Sequence, residues 1–287
     1  MLPDSKLFSK KRLNDFQQKG YLLTLLVKRN IKNQYYRSFL GVLWTVLNPL
    51  LNMVVMATIF GILLRESPDN MPYTVYILSG TIIFNLMRTA TAGSTSILVD
   101  YSSMLQKTKV SLGIFPTANT FSALATFFFS FLALFLVSIY YAIIPDKSFG
   151  HTFFLSWQTI FVILELPALL LFSLGISYFL TTLFVFFRDI KHLYESFILT
   201  LWGYLTPLFF TTKNFLGSSE PGSLRHIVIY YNPMYYFVNY FRDIIAGQGI
   251  GASSWIQLLI CYAWGIGSFL IGFTVLQLSK NKIIAHL

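Results

Sequence analysis

Four histidines, one cysteine and eleven carboxylates are the groups this 287-residue chain offers for metal, nucleophilic or acid–base chemistry. Their spacing serves none of it. His151, His192, His226 and His286 are scattered, without the close spacing that a metal ligand set needs. Cys261 lies in an apolar run and has no second cysteine for an intrachain disulfide. No Gly-Lys dipeptide occurs, so a phosphate-cradling loop of the Walker type is excluded, and no Gly-x-Ser-x-Gly elbow presents a serine. No carboxylate pair is spaced for general acid–base work. The expectation is a chain that is not an enzyme, with no metal and no cofactor of its own.

Two charged residues fall inside apolar runs, Glu165 and Arg88. Buried ionisable groups are what proton- or cation-coupled transporters use, and one carboxylate is thin support for such a cycle. Glu165, just before Pro167, reads as a structural group snorkelling at an interface or as a residue for substrate contact and gating. Arg88 is a pore charge or lies near a helix end. Aromatics are abundant, with 29 Phe, 17 Tyr and 5 Trp. Most must be lipid-facing Phe and interfacial Tyr and Trp. Trp44, and the cluster Trp202, Tyr204, Phe209 and Phe210 beside Pro207, also suit a path along which sugar rings slide, since aromatic faces pack on sugars without fixed hydrogen bonds.

The elements that must position these residues are helices in a membrane. Hydrophobic residues make up 55% of the chain and charged residues only 11%, with a mean hydropathy of +0.63. A soluble domain carries roughly a quarter charged residues. The charges here collect between long apolar runs, as a backbone in lipid requires. Runs of about 20 apolar residues place spans near 39–64, 73–98, 115–144, 158–187, 196–216 and 255–278. Lys and Arg number 15 on one side, nine of them in residues 1–38, against five on the other. Basic loops stay in the cytoplasm, so both termini are expected there, in a multi-pass protein of the cell (cytoplasmic or inner) membrane. The net charge of +10 reads as topology, and no nucleic-acid partner is expected.

Residues 1–38 form a basic arm that does not read as a cleavable signal. In it Leu23, Val27, Ile31 and Tyr35 recur every four residues, with Lys28, Arg29 and Lys32 on other faces, which predicts an amphipathic helix in the headgroup layer. Residues 39–280 form the transmembrane domain. Residues 153–187 exceed one span, so an interfacial segment ends near Pro167 or one long kinked helix projects from the membrane. Residues 211–254 are too apolar for an ordinary loop. Around Asn232-Pro233 they predict two short re-entrant helices, at about 226–246, covered by protein or a cavity; an amphipathic outer loop is the other reading. Ser268 and Gly272, like Ser173 and Ser177, are small pairs four apart that allow close helix approach. The expected fold is all-α integral membrane: six transmembrane helices, an N-terminal interface helix, and re-entrant helices between the fifth and sixth spans.

The stretch from Arg29 to Pro49, RNIKNQYYRSFLGVLWTVLNP, resembles the basic helix and first-span entry of the ABC-2-type permeases that export O antigens, capsules and teichoic acids. Phe187-Arg188-Asp189-Ile190 is similar to the turn after their fourth span, and Asn232-Pro233 followed by Arg242 to their outer segment. The family often has Asp where this chain has Asn30, removing a charge partner. The resemblance implies the membrane-spanning permease subunit of an ATP-driven exporter of a lipid-linked polysaccharide. It also implies a homodimer whose first and fifth spans line the channel, and a separate ATP-binding subunit in two copies that binds ATP and Mg. Membrane lipids surround it. Arg29, Lys32, Asp100, Lys107 and Lys109 would face the ATPase and couple to it. Tyr36, Trp44, Trp202 and Phe209 would line the sugar path, and Asn232 and Pro233 would form the exit turn, with Glu165 a gating candidate. A membrane-embedded transferase acting on lipid-linked sugars, or an ABC-2 exporter of another amphipathic cargo, is the alternative.

Overall fold

The computed structural model describes residues 5–35, 41, 43–64, 71–107, 110–143, 157–217, 222–247 and 251–286, and every regular element among them is helical. In order these are α1 (Ser5–Tyr35), α2 (Leu43–Leu64), α3 (Tyr73–Thr95), α4 (Ile97–Asp100), α5 (Ser102–Lys107), α6 (Ile114–Ile143), α7 (Val162–Phe186), α8 (Ile190–His192), α9 (Leu199–Leu205), α10 (Thr212–Leu216), α11 (Leu224–Tyr230), α12 (Pro233–Ile245) and α13 (Ala252–His286). A 3₁₀ turn, Trp157–Phe161, runs straight into α7, and a π-helical turn, Leu193–Ile198, joins α8 to α9. Ile114–Tyr141, Gln158–Phe186 and Ala252–His286 are long and apolar enough to cross a membrane, by length and composition.

Helix α3 is the centre of the bundle although it is the more polar. Its carbonyls serve as acceptors for its neighbours: the Asn119 amide of α6 donates to Ala90 O at 2.9 Å, and Ser177 of α7 donates to the same oxygen at 3.2 Å. Thr181 of α7 donates to Ser94 O. Such bonds average about 0.6 kcal/mol in membrane proteins, so they fix register more than they supply stability. The bulk of the packing is Leu78, Ile83, Met87, Leu134, Leu169, Phe237 and Phe241, all buried.

Helices α7 and α13 meet backbone to backbone. A Cβ added at Gly272 would lie 2.0 Å from Gly175 O, and one at Gly265 would lie 2.6 Å from Ala168 O. Ser268 donates to Phe172 O at 3.3 Å across the same seam. The Ser268/Gly272 pair is thus part of a close approach, whereas Ser177 of the second pair faces α3.

Over residues 157–186 the structure takes the second of the two expected arrangements, a single long helix, and two other features differ from expectation. The chain is one continuous helix from Trp157 to Phe186, with Pro167 inside it and no separate segment ending there. The segment expected at 196–216 is helical from Ile190 only to Leu205. Thr206 is extended, at φ −89° and ψ 135°, because Pro207 disfavours the α region for the residue before it. The stripe of α1 is broader than Leu23-Val27-Ile31. Leu26 is its buried member, with Leu22, Leu23 and Val27 partly buried beside Leu98, Leu112, Ile114 and Phe115. An apolar face ≳100° wide spans two neighbouring i, i+4 rows. The Tyr35 side chain lies outside the described residues.

Candidate functional site

At the end of the bundle bearing α11 and α12, the break after α9 leaves carbonyls that no helix satisfies. Arg242 of α12 answers them. It is 5% exposed, and its guanidinium donates to Pro207 O at 2.7 Å, Leu208 O at 3.1 Å and Tyr76 O at 3.1 Å. It lies 3.5 Å from the centroid of the Tyr76 ring, a cation–π contact. Gly80 makes room: a Cβ there would sit 2.5 Å from Arg242 Nη2. Tyr76 and Tyr73 hold the same segment, their hydroxyls donating to Phe210 O at 3.0 Å and to Phe209 O. Burial pushes the neighbouring Asp243 carboxyl up, against the hydrogen bond from Gln257 and the charge of Arg242.

Asn232 is the second clamp. Its side-chain oxygen accepts from Met234 N at 3.0 Å and from Trp202 Nε1 at 2.8 Å, and its amide donates to Thr206 Oγ1 at 2.9 Å. The first bond caps α12, and Pro233 at the first helical position needs no donor of its own. Trp202 and Asn232, chosen from sequence for different roles, are therefore hydrogen-bonded. The Trp202 ring also stands edge-on to Phe172, with centroids 6.1 Å apart. Phe209 is half-buried, its ring 6.4 Å from that of Tyr204.

Glu165 does not snorkel. It is fully buried at the start of α7, beside Tyr240 and Cys261, and neither carboxyl oxygen has a hydrogen-bond partner among the described residues. Arg88, by contrast, is exposed. Trp44 is also exposed, on an α2 face with Leu51, Val54 and Val55. A second apolar face is open on the π turn and α9, formed by Leu193, Phe197, Leu201 and Tyr204. Tyr194 of the same turn points inward and donates to Thr91 Oγ1 at 2.8 Å. Tyr36 lies outside the described residues.

The opposite end carries the coupling candidates. Arg29 of α1 lies 5.2 Å from the centroid of the Tyr101 ring, and Tyr101 donates to Asn30 Oδ1 at 3.4 Å. Asn30 thus has a hydroxyl partner in place of the cation that an Asp would attract. Asp100 accepts from Ser96 at 2.9 Å, and Lys191 donates to Ser96 at 3.2 Å, so the short α4–α5 element is tied to α8. Lys32 is exposed, and Lys107 ends α5 exposed; Lys109 lies outside the described residues. Tyr76, Gly80, Thr206 and Tyr101 escaped the sequence reading. A tyrosine in an apolar run carries no sign that its hydroxyl or ring face will meet a distant cation or carbonyl. Among the described residues no three His, Cys, Asp or Glu side chains gather as a metal site.

Residues 21–246 match the family described as ABC-2 type transporter. The chain is similar to the O-antigen export system permease protein RfbA of Myxococcus xanthus, 28% identical over 219 residues, 76% of this chain and 77% of that protein. It is also similar to a protein of the same name from Klebsiella pneumoniae, 24% identical over 266 residues, 92% of this chain and 95% of the relative.

Proposed function

The chain belongs to the ABC-2 type transporter family, and we propose that it is the membrane-spanning permease subunit of an ATP-driven exporter of a lipid-linked polysaccharide of the O-antigen class. The observation that carries the substrate class is likeness, across 76% of this chain in one case and 92% in another, to permeases named for O-antigen export. The bundle is a membrane protein, with three long apolar helices among its described residues. We read it as six spans of the inner membrane with both termini in the cytoplasm: α2, α3, α6, α7, the helix from Ile190 to Leu205, and α13. Helices α11 and α12 then form the re-entrant pair at the outer end, capped at Asn232-Pro233.

In this reading two copies face each other through the open faces of α2 and of the helix running from Ile190 to Leu205. The aromatic and aliphatic residues there, Trp44, Phe197 and Tyr204 among them, line the passage between the copies. Trp202 has its polar edge engaged by Asn232, so its part is to position the outer end of that helix, with Phe209 beside it. Two copies of a separate ATPase, which binds ATP and Mg, seat at Arg29 and Lys32 of α1, Asp100 of α4 and Lys107 of α5, together with Lys109. Glu165 sits where α7, α12 and α13 converge, the position from which a gate at the exit would be held.

The test is reconstitution. Vesicles holding this chain alone should neither hydrolyse ATP nor accumulate lipid-linked polymer, and adding an ATPase subunit with a P-loop should start both. ATP turnover by the chain alone, or polymer movement driven by an ion gradient without ATP, would sink the proposal.

A further inference from the structure

The end of the bundle opposite α12 contains a half-open cavity of about 750 Å³ walled by α1, by α5 with the segment after it, and by α13. Three cations reach it from these three elements: Lys19, Lys107 and Lys280. Among the described residues no carboxylate lines the cavity, and none of the three lysines is ion-paired. The remaining wall is partly apolar, with Leu105, Leu112 and Ile284. Its volume is that of a small-molecule site, roughly 300–1,000 Å³.

We propose that this cavity binds one anionic phospholipid, its phosphodiester headgroup among the three lysines and the first carbons of its chains against the apolar wall. Charge complementarity argues for an anion, because three lysines and no carboxylate line the cavity among the described residues. Position argues for a lipid. Lys280 follows the last apolar stretch of α13, which ends at Leu278, and α1 is the amphipathic helix suited to the headgroup layer. The cavity therefore opens at headgroup depth, where basic pockets between helices hold anionic headgroups. The inference rests on the orientation given above, which puts this end in the cytoplasm. The bound lipid ties α1, α5 and α13 together, so the composition of the inner leaflet bears on how firmly α5 is held.

The full chain, extracted in mild detergent and mixed with phosphatidylglycerol or phosphatidylcholine, is measured by native mass spectrometry. One phosphatidylglycerol per chain should be retained, and phosphatidylcholine should not. Lys19→Gln/Lys107→Gln/Lys280→Gln should lower that occupancy at least tenfold, and the matching Lys→Arg triple should restore it. Should the glutamine triple fail to fold, Lys107→Gln and Lys280→Gln singly should each lower it several-fold. Equal retention of both lipids, or full retention by the folded glutamine variants, overturns the proposal. So does displacement by millimolar inorganic phosphate, which makes the site one for free phosphate. Displacement by an isoprenyl diphosphate at equal concentration reassigns it to the transported carrier, and expulsion of the lipid by the docked ATPase makes it a protein-docking surface. The readout is lipid bound to the permease, so specific retention by a protein that moves no polymer upholds this inference while sinking the export reading.

Discussion

Arg242 is costly to bury alone and valuable once surrounded, because desolvation of its charge is offset by three carbonyl acceptors and an aromatic face. Lysine keeps the charge but not the planar fork that reaches separated acceptors. Arg242→Lys should therefore destabilise the protein by about 1–3 kcal/mol, the cost of an orphaned buried acceptor, read as a lowered Tm in detergent. Gly80→Ala should do the same in smaller measure, since its new Cβ meets Nη2 at 2.5 Å. An unchanged Tm for both would remove the clamp from the account. At Asn232 the arithmetic separates two roles. Trp202→Phe keeps the ring and loses the indole donor, for about 1 kcal/mol. Asn232→Ala loses the α12 cap and leaves the Trp202 indole N–H without its acceptor, for about 2–3 kcal/mol. Trp44→Phe, on the open face of α2, should leave Tm unmoved. If Trp202→Phe also leaves it unmoved while export falls, Trp202 belongs to the passage after all.

Among the elements, the α7–α13 seam is the least tolerant of added volume. Gly272→Leu places a branched side chain where a Cβ would already meet Gly175 O at 2.0 Å. Overpacking costs typically about 1–3 kcal/mol, and contact with backbone leaves little room to relax. Loss of monodisperse protein on size exclusion is the expected result, and wild-type behaviour would show that the helices can separate. The long helices were legible because lipid forces apolar runs of a set length, and the helix α1 was legible from its stripe. The break at Pro233 was visible as an interruption, since proline acts through local geometry, whereas the expected span ran on through Pro207. What stayed hidden was long-range. The π turn at Leu193–Ile198 has no sequence mark. The pairings of Arg242 with Tyr76, Asn232 with Trp202, and Tyr101 with Asn30 join residues far apart in the chain, so no local spacing announces them. Glu165 was legible as unusual but misplaced, because burial is decided by α12 and α13 folding over it.

For the whole molecule, the open apolar faces of α2 and of the Leu193–Tyr204 stretch predict association of two copies. Leu51→Cys together with Phe197→Cys, in a Cys261→Ser background, should give a disulfide-linked dimer in membranes under mild oxidation. Monomer alone on a non-reducing gel would count against the proposed seam. Behind those faces, α13 has a further consequence. It spans 35 residues, roughly 50 Å at about 1.5 Å per residue. One end packs through Leu276 and Ile283 with α1 and the start of α6, while near the other Leu258 and Cys261 pack with α12. Its middle is pressed against α7 backbone to backbone at Gly265 and Gly272, with the Ser268–Phe172 hydrogen bond between those contacts. Such a rod behaves as a lever with α7 as its fixed companion. Pivoting on that middle contact, a tilt of about 5° would carry its tip by roughly 2 Å, more than one residue of helical rise. A push at one face of the membrane is thereby delivered to the other without any helix having to unwind.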